Sequence, residues 1–185
     1  MRNEYFMCGI LGIVGPKAAS YSARFDKMAP YLNHRGPNDS GISSDSKALL
    51  AHKRLSILDL SARGKNPMVS ENKRLTLTYN GEVYNYREIR KTLESKYNFQ
   101  SQTDTEVVLA NFQIKGLDSL QDLVGMFAFG IYDHQEDSLI CARDRLGIKP
   151  FYYMLQDEHL FFSSEIKPLL LAQTSIGANE EIIHL

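Results

Sequence analysis

The chain is poor in cysteine: among its 185 residues only Cys8 and Cys141 carry thiols. Two cysteines do not make the disulfide framework of a small secreted domain, and a reducing cytoplasm is the expected compartment. Charge of one sign is missing as well, since 21 Lys and Arg face 22 Asp and Glu and leave a formal net charge of −1. A domain that neutralises many phosphates carries a basic excess, so nucleic acid is not expected as a ligand. Long apolar runs are also absent. The longest candidates, such as Met126–Tyr132, fall well short of the roughly 20 residues a membrane-spanning helix needs, so no membrane partner is expected. The N-terminus lacks the apolar stretch of a secretory signal. No repeat, low-complexity tract or Pro/Gly/Ser-rich linker divides the sequence. What remains is 43% apolar and 23% charged, the composition of one globular domain able to bury a sizeable core.

The pattern along the chain is mixed. Cys8–Gly15 reads as a buried strand closed by Gly15-Pro16, and Phe25, Met28, Ala29 and Leu32 give a helical stripe over about 20–32. His34–Gly41 has the composition of a loop. Ala48–Ile57 and Arg74–Val83 read as strands; in the second, Leu75, Leu77 and Tyr79 alternate with Thr76, Thr78 and Asn80. Asn85 and Glu88 suggest a capping box for a helix carrying Tyr86, Ile89, Leu93 and Tyr97. Helices are predicted over Thr105–Lys115, stopped by Gly116, and over Ser119–Val124. Two hairpins follow, Met126–Asp133 with Ser138–Arg143 and Phe151–Leu155 with His159–Ser163, and then a helix from about Ser164. Hairpins with helices in separate blocks predict antiparallel sheets covered by helices, an α+β fold.

The chemistry centres on Cys8. A thiol at a strand start is often a small buried hydrophobe. It follows Met7, however, and removal of an initiator Met there leaves Cys8 with an α-amine of pKa near 7.7–8.0, suited to take the thiol proton. Nucleophile and base then share one residue. Tyr79-Asn80-Gly81-Glu82 offers a side-chain amide and a glycine N–H as an oxyanion hole, although Asn-Gly is also an ordinary turn. Arg54 is suited to hold a carboxylate bidentately and Asp104 an ammonium; taken singly, such residues are more often a surface charge and a helix N-cap. Cys141, within Leu139-Ile140-Cys141-Ala142, reads as structural and buried, and Tyr152 and Tyr153 as strand residues packing a sheet. The five histidines include no close ligand-spaced pair, so no metal site is expected.

Five motifs occur in one order: Met-Cys-Gly-Ile at 7–10, His-Arg-Gly-Pro at 34–37, Arg-Leu-Ser-Ile at 54–57, Asn-Gly-Glu at 80–82 and Thr-Asp-Thr-Glu at 103–106. In this the chain resembles class II glutamine amidotransferase domains. Ala142–Tyr153 and Ser163–Lys167 narrow the resemblance to the N-terminal glutaminase domain of glutamine-dependent asparagine synthetase, over roughly residues 7–172. The resemblance implies a four-layer αββα sandwich of two antiparallel sheets, of N-terminal-nucleophile hydrolase type. It implies Cys8 as nucleophile with its α-amine as base, and Asn80 and the Gly81 N–H as oxyanion stabilisers. Arg54 would bind the glutamine α-carboxylate, Asp104 with Glu82 its α-ammonium, and the His34–Asp39 loop would shape the pocket wall. The partners it implies are L-glutamine and a C-terminal synthetase domain; homodimerisation is left open.

The implied division is 1–7 as a leader or misplaced start, 8–172 as the glutaminase domain, and 173–185 as the start of a linker or helix toward a synthetase domain. That domain would use ATP and Mg²⁺, whereas the glutaminase half-reaction needs no cofactor. The sequence holds no Gly-rich pyrophosphate loop and stops within the opening of a helix, so a piece of a longer protein is expected. While residues 1–7 remain attached, the Cys8 nitrogen is an amide and cannot act as a base. Two alternatives to asparagine synthesis stay open: transfer to another carboxylate such as a sugar acid, and a catalytically silent module of the same fold.

Overall fold

Period-two patterning builds two antiparallel sheets in the computed structural model, which describes residues 7–55 and 64–173. The first sheet has the order β2 (Asp39–Ser44), β3 (Ala48–Arg54), β1 (Gly9–Val14), β9 (His159–Ser163), β8 (Tyr152–Gln156). The second runs β4 (Met68–Val69), β5 (Leu75–Val83), β6 (Gly125–Asp133), β7 (Ser138–Arg143). Alternation assigns each strand's faces. Leu11 and Ile13 of β1 and Leu49 and Ala51 of β3 pack with Phe25 and Met28 of α1 (Ser22–Met28) and Leu169 of α5 (Ile166–Leu170). Leu75, Leu77 and Tyr79 of β5 pack with α2 (Tyr86–Leu93) and α3 (Asp104–Lys115). The intervening residues meet between the sheets: Ile10, Ala48, Leu50, Ala128, Tyr132 and Phe162. Helix, sheet, sheet, helix is the expected four-layer αββα order.

Phe162 fills the interior of the layer between the sheets. Its ring occupies the space a Cβ would need at Gly12, on the neighbouring strand, and at Gly130, on the opposite sheet, with Cβ-to-ring distances of 2.2 and 2.7 Å. Phe151 stacks on it at 5.3 Å. Across the middle, Thr78 Oγ1 donates to the Ala51 carbonyl at 3.0 Å and His52 Nε2–H to the Tyr79 carbonyl at 2.9 Å, stitching one sheet to the other. The polar groups of Thr78 and His52 thus point into a buried layer with partners supplied.

Several expectations are revised. The helix over 20–32 is interrupted: α1 is flanked by 3₁₀ turns at Ala18–Tyr21 and Ala29–Leu32, the second containing Pro30, which has no N–H to give. The loop at 34–41 turns into β2 already at Asp39, because the short Ser and Gly side chains that read as a turn sit on an edge strand. Asn85 makes no capping bond; its side chain accepts from Val124 N–H at 3.1 Å and donates to the Asp122 carbonyl at 2.9 Å, tying α2 to the segment before β6. The helix of 119–124 is α4 (Ser119–Asp122), shorter because Leu123 is already extended. Cys141 is exposed, and so are Tyr152 and, at 66%, Tyr153, because β7 and β8 are the outer strands of their sheets. Of Leu169–Leu171, only Leu169 is buried. The leader 1–6, Ser56 and Ile57, and the helix opening at 179–185 lie outside the described residues.

Candidate active site

At one end of the inter-sheet layer the strands frame a cleft of about 120 Å³ in which Cys8, Arg54, Asn80, Gly81, Glu82 and Asp104 come together. Cys8 immediately precedes β1, the central strand of its sheet. Its carbonyl accepts from Arg35 Nε at 3.2 Å, and two residues on, Ile10 exchanges bonds with Ser164: Ile10 N to Ser164 Oγ at 3.0 Å and Ser164 N to Ile10 O at 2.9 Å. Arg35 is held in turn by Glu165, 3.2 Å from its NH1, and His34 meets the same carboxylate at 2.7 Å. The expected role of the 34–39 loop is therefore displaced: none of its residues lines the cleft, and it acts from behind by fixing the backbone of Cys8. The Cys8 sulfur rests by Leu55, accepting from its N–H at 3.4 Å. Burial raises the thiol pKa, while the Leu55 bond and the Arg54 and Lys149 charges work against that rise.

β5 supplies the opposite wall. Asn80 and Glu82 share the face of Thr78, toward the first sheet. Asn80 is only 1% exposed, and among the described residues its Nδ2 has no hydrogen-bond partner. A Cβ on Gly81 would stand 2.5 Å from the Met126 carbonyl oxygen, so only glycine fits there. The direction of its N–H follows from the register. Gly81 lies opposite Phe127, whose carbonyl and N–H are both engaged by Asp144, at 2.8 and 3.3 Å. Gly81–Phe127 is thus a non-hydrogen-bonded pair, and the Gly81 N–H points off the other edge, beyond the end of short β4. Val83, two residues on, points the same way and donates to Asp104 Oδ2 at 3.0 Å.

Asp104 opens α3, behind Thr103, whose Oγ1 accepts from Glu106 N–H and caps the helix. The cap is therefore Thr103, which leaves Asp104 for the cleft. Its Oδ2 also takes the Tyr79 hydroxyl, at 2.7 Å, and its Oδ1 the Thr105 N–H, at 2.9 Å. Burial raises its pKa against these donors. Arg54, on β3, is buried with its guanidinium against Gly64, where a Cβ would lie 2.5 Å from NH2.

His52, Asn66 and Lys149 also line the cleft and were not singled out from sequence. His52 is held neutral, its pKa lowered to about 4 chiefly by burial, and its Nδ1 has no partner among the described residues. Lys149 is only 5% exposed. Its position inside Gly147-Ile148-Lys149-Pro150-Phe151, between apolar and turn-forming residues, is the signal that marks it as other than a surface lysine. Among the described residues no group of three His, Cys, Asp or Glu could hold a metal ion. No helix there is long and apolar enough to cross a membrane.

A thiol, an unpaired amide donor, a guanidinium and a carboxylate around one cleft, on paired antiparallel sheets, define an amidotransferase fold of the N-terminal-nucleophile type. Solved structures agree on the fold: glutamine phosphoribosylpyrophosphate amidotransferase from B. subtilis superposes with a TM-score of 0.72 at 22% identity, covering 89% of this chain and 43% of that one. The chain belongs to the glutamine amidotransferase domain family, whose model matches residues 7–184. Among its relatives are asparagine synthetase B [glutamine-hydrolyzing] of Escherichia coli, 42% identical over 168 residues, and a putative asparagine synthetase of Methanocaldococcus jannaschii, 38% identical over 196. These matches take in 89% and 95% of the chain but only 30% and 37% of the relatives, so the chain spans about a third of their length.

Proposed function

We propose that this domain hydrolyses L-glutamine to glutamate and ammonia, with Cys8 as nucleophile. The observation that carries the reading is the buried Asn80 amide, left without a partner on the wall of the cleft that holds the Cys8 sulfur. A buried donor without a partner costs about 1–3 kcal/mol, and a developing oxyanion recovers it. The Gly81 N–H, directed off the same strand edge, is the second donor. Arg54 binds the α-carboxylate, and Asp104 with Glu82 the α-ammonium.

With Cys8 as the first residue, its α-amine takes the thiol proton and the sulfur attacks the side-chain carboxamide carbon. The tetrahedral oxyanion collapses, the C–N bond breaks, and nitrogen leaves as ammonia with the proton from the α-ammonium. Water then adds to the glutamyl thioester, activated by the same amine, and glutamate departs as the thiol reforms. Sulfur, amine and hydrogen bonds suffice for each step, so the scheme draws on no cofactor. The relatives' names, asparagine synthetase [glutamine-hydrolyzing], support asparagine synthesis as the use of the ammonia; in this proposal a C-terminal synthetase domain would use it with ATP, Mg²⁺ and aspartate. The two free thiols, Cys8 and Cys141, suit a cytoplasmic location.

The test is glutamate release from glutamine by protein whose N-terminal residue is shown by intact mass to be Cys8. Cys8→Ala should abolish release and leave the melting temperature within a few degrees of wild type. Wild-type turnover in that variant, or no release by the protein with a free Cys8 amine, would end the proposal.

A further inference from the structure

Lys149 sits where a lysine is costly. Its backbone is fixed on both sides, with its N–H donated to Asp144 Oδ2 at 3.0 Å and its carbonyl accepting from Arg143 Nε at 2.6 Å. Asp144 is itself anchored: burial opposes its charge, but the N–H groups of Lys149, Ile148, Phe127 and Leu146 outweigh it and lower its pKa. The loop is thereby tied to β6 beside Gly81, and the following Phe151 stacks on Phe162. From this mount the Lys149 side chain enters the cleft, and among the described residues no carboxylate comes within ion-pair distance of Nζ. The contact it makes is with a thioether, Met7 Sδ at 2.9 Å, the residue that must leave for the Cys8 amine to be free.

Resting on the glutaminase reading above, we propose that Lys149 is a positioning residue that acts through Cys8: its ammonium favours the thiolate and disfavours a second positive charge on the Cys8 nitrogen. Other charges act around Cys8 as well. Arg54 on β3 also favours the thiolate, and Asp104 on α3 opposes it. Glu82 on β5, Asp144 and Arg35 act on Lys149 itself. Arg35 is engaged with the Cys8 carbonyl and Glu165. His52 is neutral at working pH, and the buried Tyr79 hydroxyl donates to Asp104. Lys149 is thus a cation of the cleft whose ammonium meets Met7, the residue bonded to the Cys8 nitrogen. A like charge there lowers the pH at which the amine becomes a usable base.

The experiment compares wild type, Lys149→Met and Lys149→Arg in the full-length protein processed to Cys8. Met keeps the length of the stem and removes the charge. In Lys149→Met the acid limb of kcat/KM for glutamine should move up by about one pH unit, and alkylation of Cys8 by iodoacetamide at pH 6.5 should slow about tenfold. Both should return toward wild type in Lys149→Arg. An unmoved acid limb and unchanged alkylation in Lys149→Met overturn the proposal, as does a raised KM with an unaltered pH profile, which would make Lys149 a substrate contact. If wild type hydrolyses no glutamine, the functional reading fails, and the alkylation rates still decide whether Lys149 tunes the sulfur.

Discussion

The interior of the inter-sheet layer and its open end are built by the same strands and treated in opposite ways. In the interior Phe162 fills the space left by Gly12 and Gly130 and stacks on Phe151. At the open end, β5 continues from Thr78 to Asn80 and Glu82 and β3 from His52 to Arg54, so the inward faces present amide, carboxylate and guanidinium. The boundary falls at the Thr78–Ala51 and His52–Tyr79 bonds, where each buried polar group still finds a protein partner. Beyond it, Asn80 Nδ2 and His52 Nδ1 find none among the described residues. The filled interior stabilises the fold, and the polar end gives up stability to keep groups ready for a ligand.

The sharpest way to break this contrast is in the filled interior. Phe162→Ala should cost about 3–5 kcal/mol in urea unfolding, because rigid sheets on both sides cannot collapse onto the void. Asn80→Ala should behave in reverse: a rate loss of about 10²–10³ in glutamine hydrolysis with a melting temperature equal to or above wild type. A large stability loss there would place Asn80 with the structural groups. His52 links the two regions. Its pKa of about 4, against 6.5 for a free imidazole, means that the unfolded chain binds a proton between those pH values and the native one does not. Stability from this source is full above pH 6.5 and falls on acidification, by on the order of 2–3 kcal/mol at pH 4.5. His52→Gln, which keeps a donor for the Tyr79 carbonyl, should flatten that part of the pH dependence of the urea midpoint. The smallest effect is at Arg54: Arg54→Lys should raise KM for glutamine about tenfold with little change in stability, since an ammonium does not reproduce the two-pronged hold on a carboxylate.

Much of this was legible in residue order. The alternation of Leu75, Leu77 and Tyr79 with Thr76, Thr78 and Asn80 gave both the strand and the face on which Asn80 lies, and the two late hairpins fell within a residue or two of β6–β9. Strand position was not legible. Nothing local says that β7 and β8 are outer strands, so Cys141 and Tyr153 were assigned to an interior that their sheets do not cover. Asn85 has the chemistry of a cap, but its partners at Asp122 and Val124 are 37 and 39 residues away. Lys149 and His52 were passed over for the same reason: their roles depend on which walls close around them, and those walls come from strands far apart in the chain.

The clamp behind Cys8 limits how the sulfur can travel. With its carbonyl fixed by Arg35, and Ile10 fixed by two bonds to Ser164, the main chain leading out of the nucleophile is a rigid mount. Any swing of the sulfur away from Leu55 toward an incoming carbonyl carbon is then left to torsion about the Cα–Cβ bond. The reach of the attack is set by a single rotor, and a bulkier neighbour at Leu55 would restrict it without touching substrate.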